Sequence, residues 1–237
     1  MFSSQGPSAR ELAVQALSSV EHGYDLLAPT FDHTPFRTPD RFLDATEAAL
    51  RAYGPFRTGL DVCCGTGAGV RVLDGLCPNG VTGTDFSAGM LDRARAAHPE
   101  HGWVRADARA LPFETEFDLA VSFGAFGHFL PAERPALFAG VHRALRPGGL
   151  FAFPIAAPPP VRSPWHWALT GFDAAMRLRN ALWRPPFVMY YRTFPLEPVR
   201  ADLAAAGFSV TTLALEEFGR RPDGSPRCRL VLARRLG

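Results

Sequence analysis

The sequence predicts an α/β protein with a doubly wound, mainly parallel sheet. An apolar run over residues 59–63 stops at a glycine-rich turn over residues 65–69. A carboxylate, Asp85, follows Gly65 by 20 residues. Strand and helix patterns then alternate as far as residue 156. A strand, a glycine-rich turn, a helix and an acid about 20 residues further on is how such sheets hold an adenosine-type ligand.

The predicted elements follow one another in an order that suits parallel strands joined by helices. Helices are expected over residues 8–22 and 41–53, with a loop over 24–39 between them. The alternating region is predicted as strand 59–63, helix 68–77, strand 81–85, helix 88–97, strand 102–106, strand 117–122, helix 132–146 and strand 150–156. Near the end of the chain, a helix is predicted over 198–206, and strands over 208–215 and 227–233.

Composition limits the class of protein. The 237 residues suit one domain, and 47% hydrophobic residues are enough for a core on both faces of a sheet. The net charge is +2 without a basic block, so no nucleic-acid partner is expected. All 25 basic residues are arginines, which excludes a lysine base. The spacing of the four cysteines fits no zinc site, so no metal is expected. Without a secretory or membrane-spanning segment in view, we expect a cytoplasmic protein that is not stably anchored to a membrane.

The spacing of the glycines discriminates between ligands. A dinucleotide site needs G-x-G-x-x-G, but the sixth position counted from Gly65 is Val70, so the third glycine is missing. The pattern present is Asp61-x-Cys63-x-Gly65-x-Gly67. It resembles motif I of the class I S-adenosylmethionine-dependent methyltransferases, D/E-x-G-x-G-x-G, with Cys63 in place of the first glycine. Because cysteine is small, we expect the strand end to accommodate it.

Four further segments resemble the same family in the same order. Residues 81–91 resemble its second strand and the following helix start, and residues 103–108 resemble its third strand. Residues 111–122 resemble the turn into the fourth strand, and residues 145–149 the turn before the fifth. The resemblance covers residues 20–155 closely. It implies a Rossmann-like sheet of seven strands, six parallel and one antiparallel.

The family architecture implies one methyltransferase domain over residues 1–237. Its expected parts are an N-terminal helical cap over 1–54, a cofactor-binding core over 55–156, an aromatic- and proline-rich lid over 157–197, and a final helix and antiparallel hairpin over 198–237.

The resemblance implies S-adenosylmethionine as the cofactor and S-adenosylhomocysteine as its product. By position, Asp85 binds the ribose hydroxyls, Phe86 and Met90 line the adenine pocket, and Asp107 bonds the adenine amino group. The backbone of Phe123 holds the amino group of the methionine part. The full predicted cofactor-binding set is Tyr24, Asp61, Cys63, Gly65, Gly67, Asp85, Phe86, Met90, Asp107, Ala108 and Phe123.

A methyltransferase needs few catalytic side chains, because alignment of the reactants alone contributes about 7–11 kcal/mol in favourable cases. His128, after the fourth strand, is the first candidate for a general base, since imidazole accepts a proton near neutral pH. A loop-packing role is the alternative. His166, between two tryptophans of the lid, is the second candidate. Tyr24 resembles an N-terminal aromatic that closes over the methionine part; a packed cap aromatic is the alternative.

The aromatic lid predicts a small, apolar or aromatic acceptor, methylated by direct SN2 displacement as in natural-product biosynthesis. Contact between residues 176–183 and a membrane surface is less favoured, because the segment is short and is followed by Pro185 and Pro186. Non-methylating chemistry with the same cofactor and a non-catalytic binding module remain open. An NAD(P)-dependent oxidoreductase is disfavoured by the missing glycine. The oligomeric state also remains open, with a homodimer as one alternative.

Overall fold

The computed structural model describes residues 6–34, 36–191 and 194–237. It contains one sheet of seven strands: β1 (Gly59–Val62), β2 (Val81–Asp85), β3 (Gly102–Arg105), β4 (Phe117–Val121), β5 (Leu145–Ala156), β6 (Phe208–Ala214) and β7 (Cys228–Arg235). The strand order is β3-β2-β1-β4-β5-β7-β6. β7 is antiparallel to β5 and β6, and the other pairs are parallel. The predicted doubly wound sheet of six parallel strands and one antiparallel strand is confirmed.

Helices pack on both faces of the sheet. They are α1 (Ala9–Leu17), α2 (Val20–Leu27), α3 (Asp40–Leu50), α4 (Val70–Asp74), α5 (Ala88–Ala97), α6 (Arg134–Ala144), α7 (Pro164–Leu182) and α8 (Leu196–Ala205). Leu119 belongs to one hydrophobic cluster and Ala120 to the other, and both are fully buried. This burial of successive residues explains why the central strands are apolar without alternation, as parallel strands covered on both faces must be.

The topology places a ligand site beside β1. β1 pairs with β2 on one side and with β4 on the other, so the order of the strands reverses there. Crevices at such a switch point, beyond the carboxyl ends of the strands, are where open α/β sheets bind ligands.

The N-terminal segment differs from the prediction. The expected helix over 8–22 is two helices, because Ser18 is extended and Ser19 starts α2 by accepting a hydrogen bond from the His22 amide. The expected loop over 24–39 was wrong for its first half: α2 continues to Leu27 and a 3-10 helix, Ala28–His33, follows it.

The region before β6 is more regular than its prolines suggest. Pro185 and Pro186 lie beyond the end of α7, so a helix of 19 residues forms before them. β5 begins five residues earlier than predicted, at Leu145, and Gly148 with φ of +78° provides the expected turn inside it. Among the described residues, no helix is both long and apolar enough to cross a membrane.

Candidate functional site

A cavity of about 840 Å³ opens at the carboxyl ends of β1, β2 and β4. Its volume is in the range of pockets that hold small-molecule ligands. Ten of the thirteen site residues predicted from the sequence line it: Tyr24, Cys63, Gly65, Asp85, Phe86, Met90, Asp107, Ala108, Phe123 and His128. The sequence therefore located most of one continuous cavity.

Asp85 lies at the end of β2 with its carboxylate turned into the protein, and only 6% of the residue is exposed. One oxygen accepts a hydrogen bond from the Gly65 amide at 2.9 Å and the other from the Ser87 amide at 3.0 Å. Burial raises the pKa of this carboxyl, and the two amides oppose that rise. Asp85 thus holds the glycine loop in place and still presents its remaining acceptor capacity to the cavity.

Two residues at the start of the glycine loop, Cys63 and Gly65, have positive φ angles. Gly65 has φ of +54°, and a Cβ there would meet nothing within 4 Å, so a ligand can approach the backbone. Cys63, which takes the place of the family's first glycine, has φ of +58°, a region that non-glycine residues rarely adopt. The strand end accommodates the cysteine, but in a left-handed backbone conformation. Desolvation and the charge of Asp85 raise the pKa of its thiol well above the usual value.

Two predicted cofactor residues do not line the cavity. Asp61 is buried below the loop, where a Cβ on Gly69 would lie 2.5 Å from its carboxylate. Its oxygens have no hydrogen bond of normal geometry to any described residue. Burial and the Asp85 charge raise its pKa well above the usual value, and the nearby amides of Gly69 and Val70 partly lower it. Gly67 faces Trp103 and His98 rather than the cavity.

The Asp107 carboxylate accepts hydrogen bonds from its neighbour Arg109. It accepts both the Arg109 amide at 2.8 Å and the Arg109 Nε at 2.9 Å. The hydrogen bonds from the guanidinium lower the pKa of Asp107. Oδ1 accepts the Arg109 amide and Nε, and Oδ2 accepts Nε and Nη2. An adenine amino group would therefore have to compete with Arg109 for this carboxylate.

His128 and Tyr24 form a hydrogen-bonded pair at the cavity wall. His128 Nδ1 lies 2.7 Å from the Val188 carbonyl oxygen, which only accepts, so the Nδ1 atom carries the proton. Nε2 is then the acceptor for the Tyr24 hydroxyl, 2.7 Å away. Burial lowers the pKa of His128, and burial together with the Asp85 charge raises the pKa of Tyr24. Both side chains are therefore neutral at neutral pH.

The N-terminal segment covers the glycine loop through contacts that the sequence patterns did not reveal. Asp32 accepts a hydrogen bond from the Thr66 hydroxyl at 2.7 Å. Asp25 accepts the Ser87 hydroxyl at 2.6 Å and the Gly89 amide at 2.9 Å, which ties α2 to the start of α5. These partners are 34 to 64 residues apart, and no local motif marks them.

A second wall of the cavity is aromatic. Phe31 and Phe36 come from the N-terminal segment, and Phe129 follows His128. The charged groups on the wall pair with one another: Arg105 with Glu21, and Arg109 with Glu133.

His166 is not in this cavity. It lines a separate, smaller cavity of about 310 Å³ between the end of β5 and α7. Its Nδ1 lies 3.2 Å from the Pro159 carbonyl oxygen. The structure thus separates His166 from Asp85 and His128, so the two predicted catalytic histidines do not line the same cavity.

One group of side chains has the donor set for a divalent cation, although no metal was expected from the sequence. Among the described residues, ligand atoms of Asp74, His98, Glu100 and His101 all lie within 4.8 Å of one another. The His101 Nε2 atom is 3.0 Å from Asp74 Oδ1 without hydrogen-bond geometry. The His101 side chain is nearly buried.

Comparison with known proteins agrees with this geometry. Residues 60–149 match the family model described as a methyltransferase domain. The matched segment contains the glycine loop, Asp85 and Asp107. Together with the seven-stranded fold, this match and the relatives named as methyltransferases support a class I S-adenosylmethionine-dependent methyltransferase. The methyltransferase match supports S-adenosylmethionine as the predicted cofactor, and one neighbour of similar fold was solved with bound S-adenosylhomocysteine.

Three similar proteins illustrate how similar the matches are and how much of the chain they cover. An uncharacterised methyltransferase of Synechocystis is 39% identical over 104 residues, which are 43% of this chain and 48% of that protein. A 2-phytyl-1,4-naphtoquinone methyltransferase of Nostoc is 31% identical over 136 residues, 52% of this chain and 58% of that protein. Magnesium protoporphyrin IX methyltransferase of Synechocystis, solved with S-adenosylhomocysteine, has a TM-score of 0.55 at 18% identity over 81% of each chain. The chain spans about half the length of these two curated relatives.

Proposed function

We propose that this protein transfers the methyl group of S-adenosylmethionine to a small, mainly apolar acceptor bound in the same cavity. The observation that carries the proposal is the composition of the cavity wall. Gly65, Asp85 and Met90 supply what an adenosyl ligand needs, and Phe31 and Phe129 supply an apolar wall in the same space.

The residues present fit the cofactor. Asp85 is a buried acceptor for ribose hydroxyls, and Gly65 leaves open space above the backbone. Met90 and Phe86 offer apolar surface for adenine. When bound, S-adenosylmethionine supplies a methyl group on a sulfonium that is already activated. The task left to the protein is to orient the acceptor, exclude water and, for a hydroxyl acceptor, remove a proton.

His128 is the proposed proton acceptor. The Val188 carbonyl fixes its tautomer, so Nε2 carries the lone pair. Tyr24 is a positioning residue in this scheme, because its hydroxyl donates to Nε2 and orients the ring. An acceptor hydroxyl that replaces the Tyr24 hydroxyl at Nε2 gives its proton to His128 while its oxygen becomes the nucleophile.

Closure of the site is assigned to the N-terminal segment. Asp25 and Asp32 hold it against the start of α5 and against the glycine loop. Tyr24, Phe31 and Phe36 are carried on the same segment and form part of the cavity wall. Water exclusion therefore depends on hydrogen bonds that two carboxylates accept from backbone and hydroxyl donors: Asp25 in α2 and Asp32 in the 3-10 helix that follows it.

An apolar acceptor is favoured by the pairing of the wall charges. Arg105 and Arg109 are each matched by a carboxylate, which leaves little free charge to recognise an ionic acceptor. The similarity to a relative named for a phytyl-naphtoquinone points the same way. Quinols and substituted phenols have the size and the hydroxyl that this wall and His128 suit.

The test is a panel of quinols, phenols and aliphatic carboxylic acids incubated with S-adenosylmethionine, with product mass and S-adenosylhomocysteine both measured. We expect methylation within the quinol or phenol group. The His128→Gln variant should lower kcat by about 10²–10⁴-fold while leaving the affinity for S-adenosylhomocysteine near that of the wild type. Tight cofactor binding with no product from the whole panel, or methylation of the aliphatic acids alone, contradicts the proposal.

A further inference from the structure

The long helix α7 directs most of its apolar residues to the solvent and most of its polar residues toward the protein. Five of its seven shielded residues are polar: His166, Thr170, Asp173, Arg179 and Asn180. Of its twelve exposed residues, eleven are Trp, Phe, Leu, Ala, Gly or Pro, and the remaining one is Arg177. A helix at the surface of a globular protein normally has the opposite arrangement.

The polar face of α7 is fixed in place by hydrogen bonds. Asp173 accepts the Tyr191 amide at 2.9 Å. Asn180 accepts the Phe187 amide at 3.0 Å and donates to the Tyr190 hydroxyl at 2.9 Å. Rotation of the helix to bury its apolar face would break these bonds. The outward apolar face is therefore the consequence of specific contacts.

The exposed face is large and ends in aromatic side chains. Leu178 and Leu182 are 63% and 77% exposed. Trp165, Trp167 and Trp183, three of the four tryptophans of the chain, are also exposed. A large exposed apolar surface of this kind marks an interaction site. Tryptophan is enriched where proteins meet the interface of a membrane.

The charge around this face is one-sided. Residues 157–195 contain five arginines and one acid, Asp173. Asp173 is buried against Tyr191 and contributes no exposed negative charge. Arg162, Arg177 and Arg184 are exposed. An anionic surface complements this segment.

We propose that α7 binds reversibly to an anionic lipid surface, with its apolar face inserted at the level of the headgroups and its arginines beside the lipid phosphates. A second copy of the chain is the less suitable partner. A two-fold interface brings the same patch from both subunits together and would set arginines against arginines. In this arrangement the helix lies along the membrane surface and does not span the bilayer.

The location of α7 links the lipid surface to the cavity. The segment after the helix supplies Pro186 and Val188 to the cavity wall, and the Val188 carbonyl holds His128. Docking of α7 would thus bring one wall of the cavity close to the lipid. The lipid-binding proposal does not depend on the methyl transfer, since it is tested without turnover.

The experiment measures flotation of the full chain with vesicles of phosphatidylcholine alone or mixed with phosphatidylglycerol. We expect binding to the mixed vesicles, a blue shift of tryptophan emission, and release by salt. Leu178→Gln/Leu182→Gln should lower the affinity at least roughly tenfold, because two buried leucines are lost from the lipid. Arg162→Gln should lower it about fivefold on the anionic vesicles only.

The matched control is Leu17→Gln/Leu236→Gln, which changes two leucines that are 47% and 55% exposed elsewhere on the surface. Its vesicle binding should equal that of the wild type. All four leucines are exposed, so both variants should fold, and circular dichroism checks this. Wild-type protein that does not float, or an α7 variant that floats as well as its control, overturns the proposal. So does a stable dimer in light scattering that only the α7 variant dissociates.

Discussion

The Asp85→Asn substitution tests whether the carboxylate at the end of β2 binds the cofactor. The two oxygens of Asp85 accept the Gly65 and Ser87 amides. An asparagine has one acceptor oxygen and a donor NH₂ group, so it can satisfy only one of the two amides. The ribose hydroxyls also lose a charged acceptor. A hydrogen bond to a charged group contributes about 1.5–3 kcal/mol.

The loss of one such bond corresponds to roughly ten- to hundredfold weaker binding of S-adenosylhomocysteine. The amide left without an acceptor should lower the free energy of unfolding by about 1–3 kcal/mol in the ligand-free protein. Calorimetric titration measures the first quantity and urea denaturation the second. Asp92→Asn is the matched control, since Asp92 is an exposed acid on α5 that pairs with Arg95.

The two readouts separate binding from stability. If Asp85 acts on the cofactor, the affinity falls in a protein that is still fully folded at the temperature of the titration. Unchanged affinity for S-adenosylhomocysteine in folded Asp85→Asn protein would refute the reasoning, whatever happens to the stability.

Three other expectations follow from the same site. In urea denaturation, the free energy of unfolding of Cys63→Gly should lie within about 1 kcal/mol of the wild-type value. That of Cys63→Val should be lower by more than about 1 kcal/mol, because a branched side chain does not suit a φ of +58°. Equal stability of the two variants argues against backbone strain. Asp61→Asn should raise the free energy of unfolding near neutral pH, because a carboxyl whose pKa is raised in the folded state costs stability at any pH where the unfolded chain ionises it. The gain should vanish as the pH falls below the unfolded pKa of about 3.9; a gain that persists in acid speaks against this. Because burial lowers the pKa of His128, kcat/KM should stay constant as the pH falls to about 6.5. Tyr24→Phe removes a donor to the neutral ring of the free enzyme, so it should move the acid limb of the kcat/KM profile to higher pH; an unmoved limb reduces Tyr24 to packing.

The sheet was predictable because its signals are local. β2 and α5 have the predicted boundaries, since an apolar run ends at Asp85 and Ser87 caps the helix that follows. The glycine spacing also identified the ligand class, because it reports on backbone that approaches the ligand.

The remaining features depend on contacts between distant residues. Tyr24 and His128 are 104 residues apart, and their pairing through Nε2 exists only in the folded protein. The contacts of Asp25 and Asp32 are of the same kind. The orientation of α7 was unpredictable for another reason: helical patterns are read on the rule that apolar residues face inward, and α7 breaks that rule.

The most direct test of the central claim is a crystal structure of the protein grown with S-adenosylhomocysteine. We expect the ribose hydroxyls within hydrogen-bond distance of the Asp85 carboxylate, the adenine against Met90, and the sulfur on the side of the cavity that holds His128. Ligand density outside the cavity, or a ribose without contact to Asp85, would contradict the account.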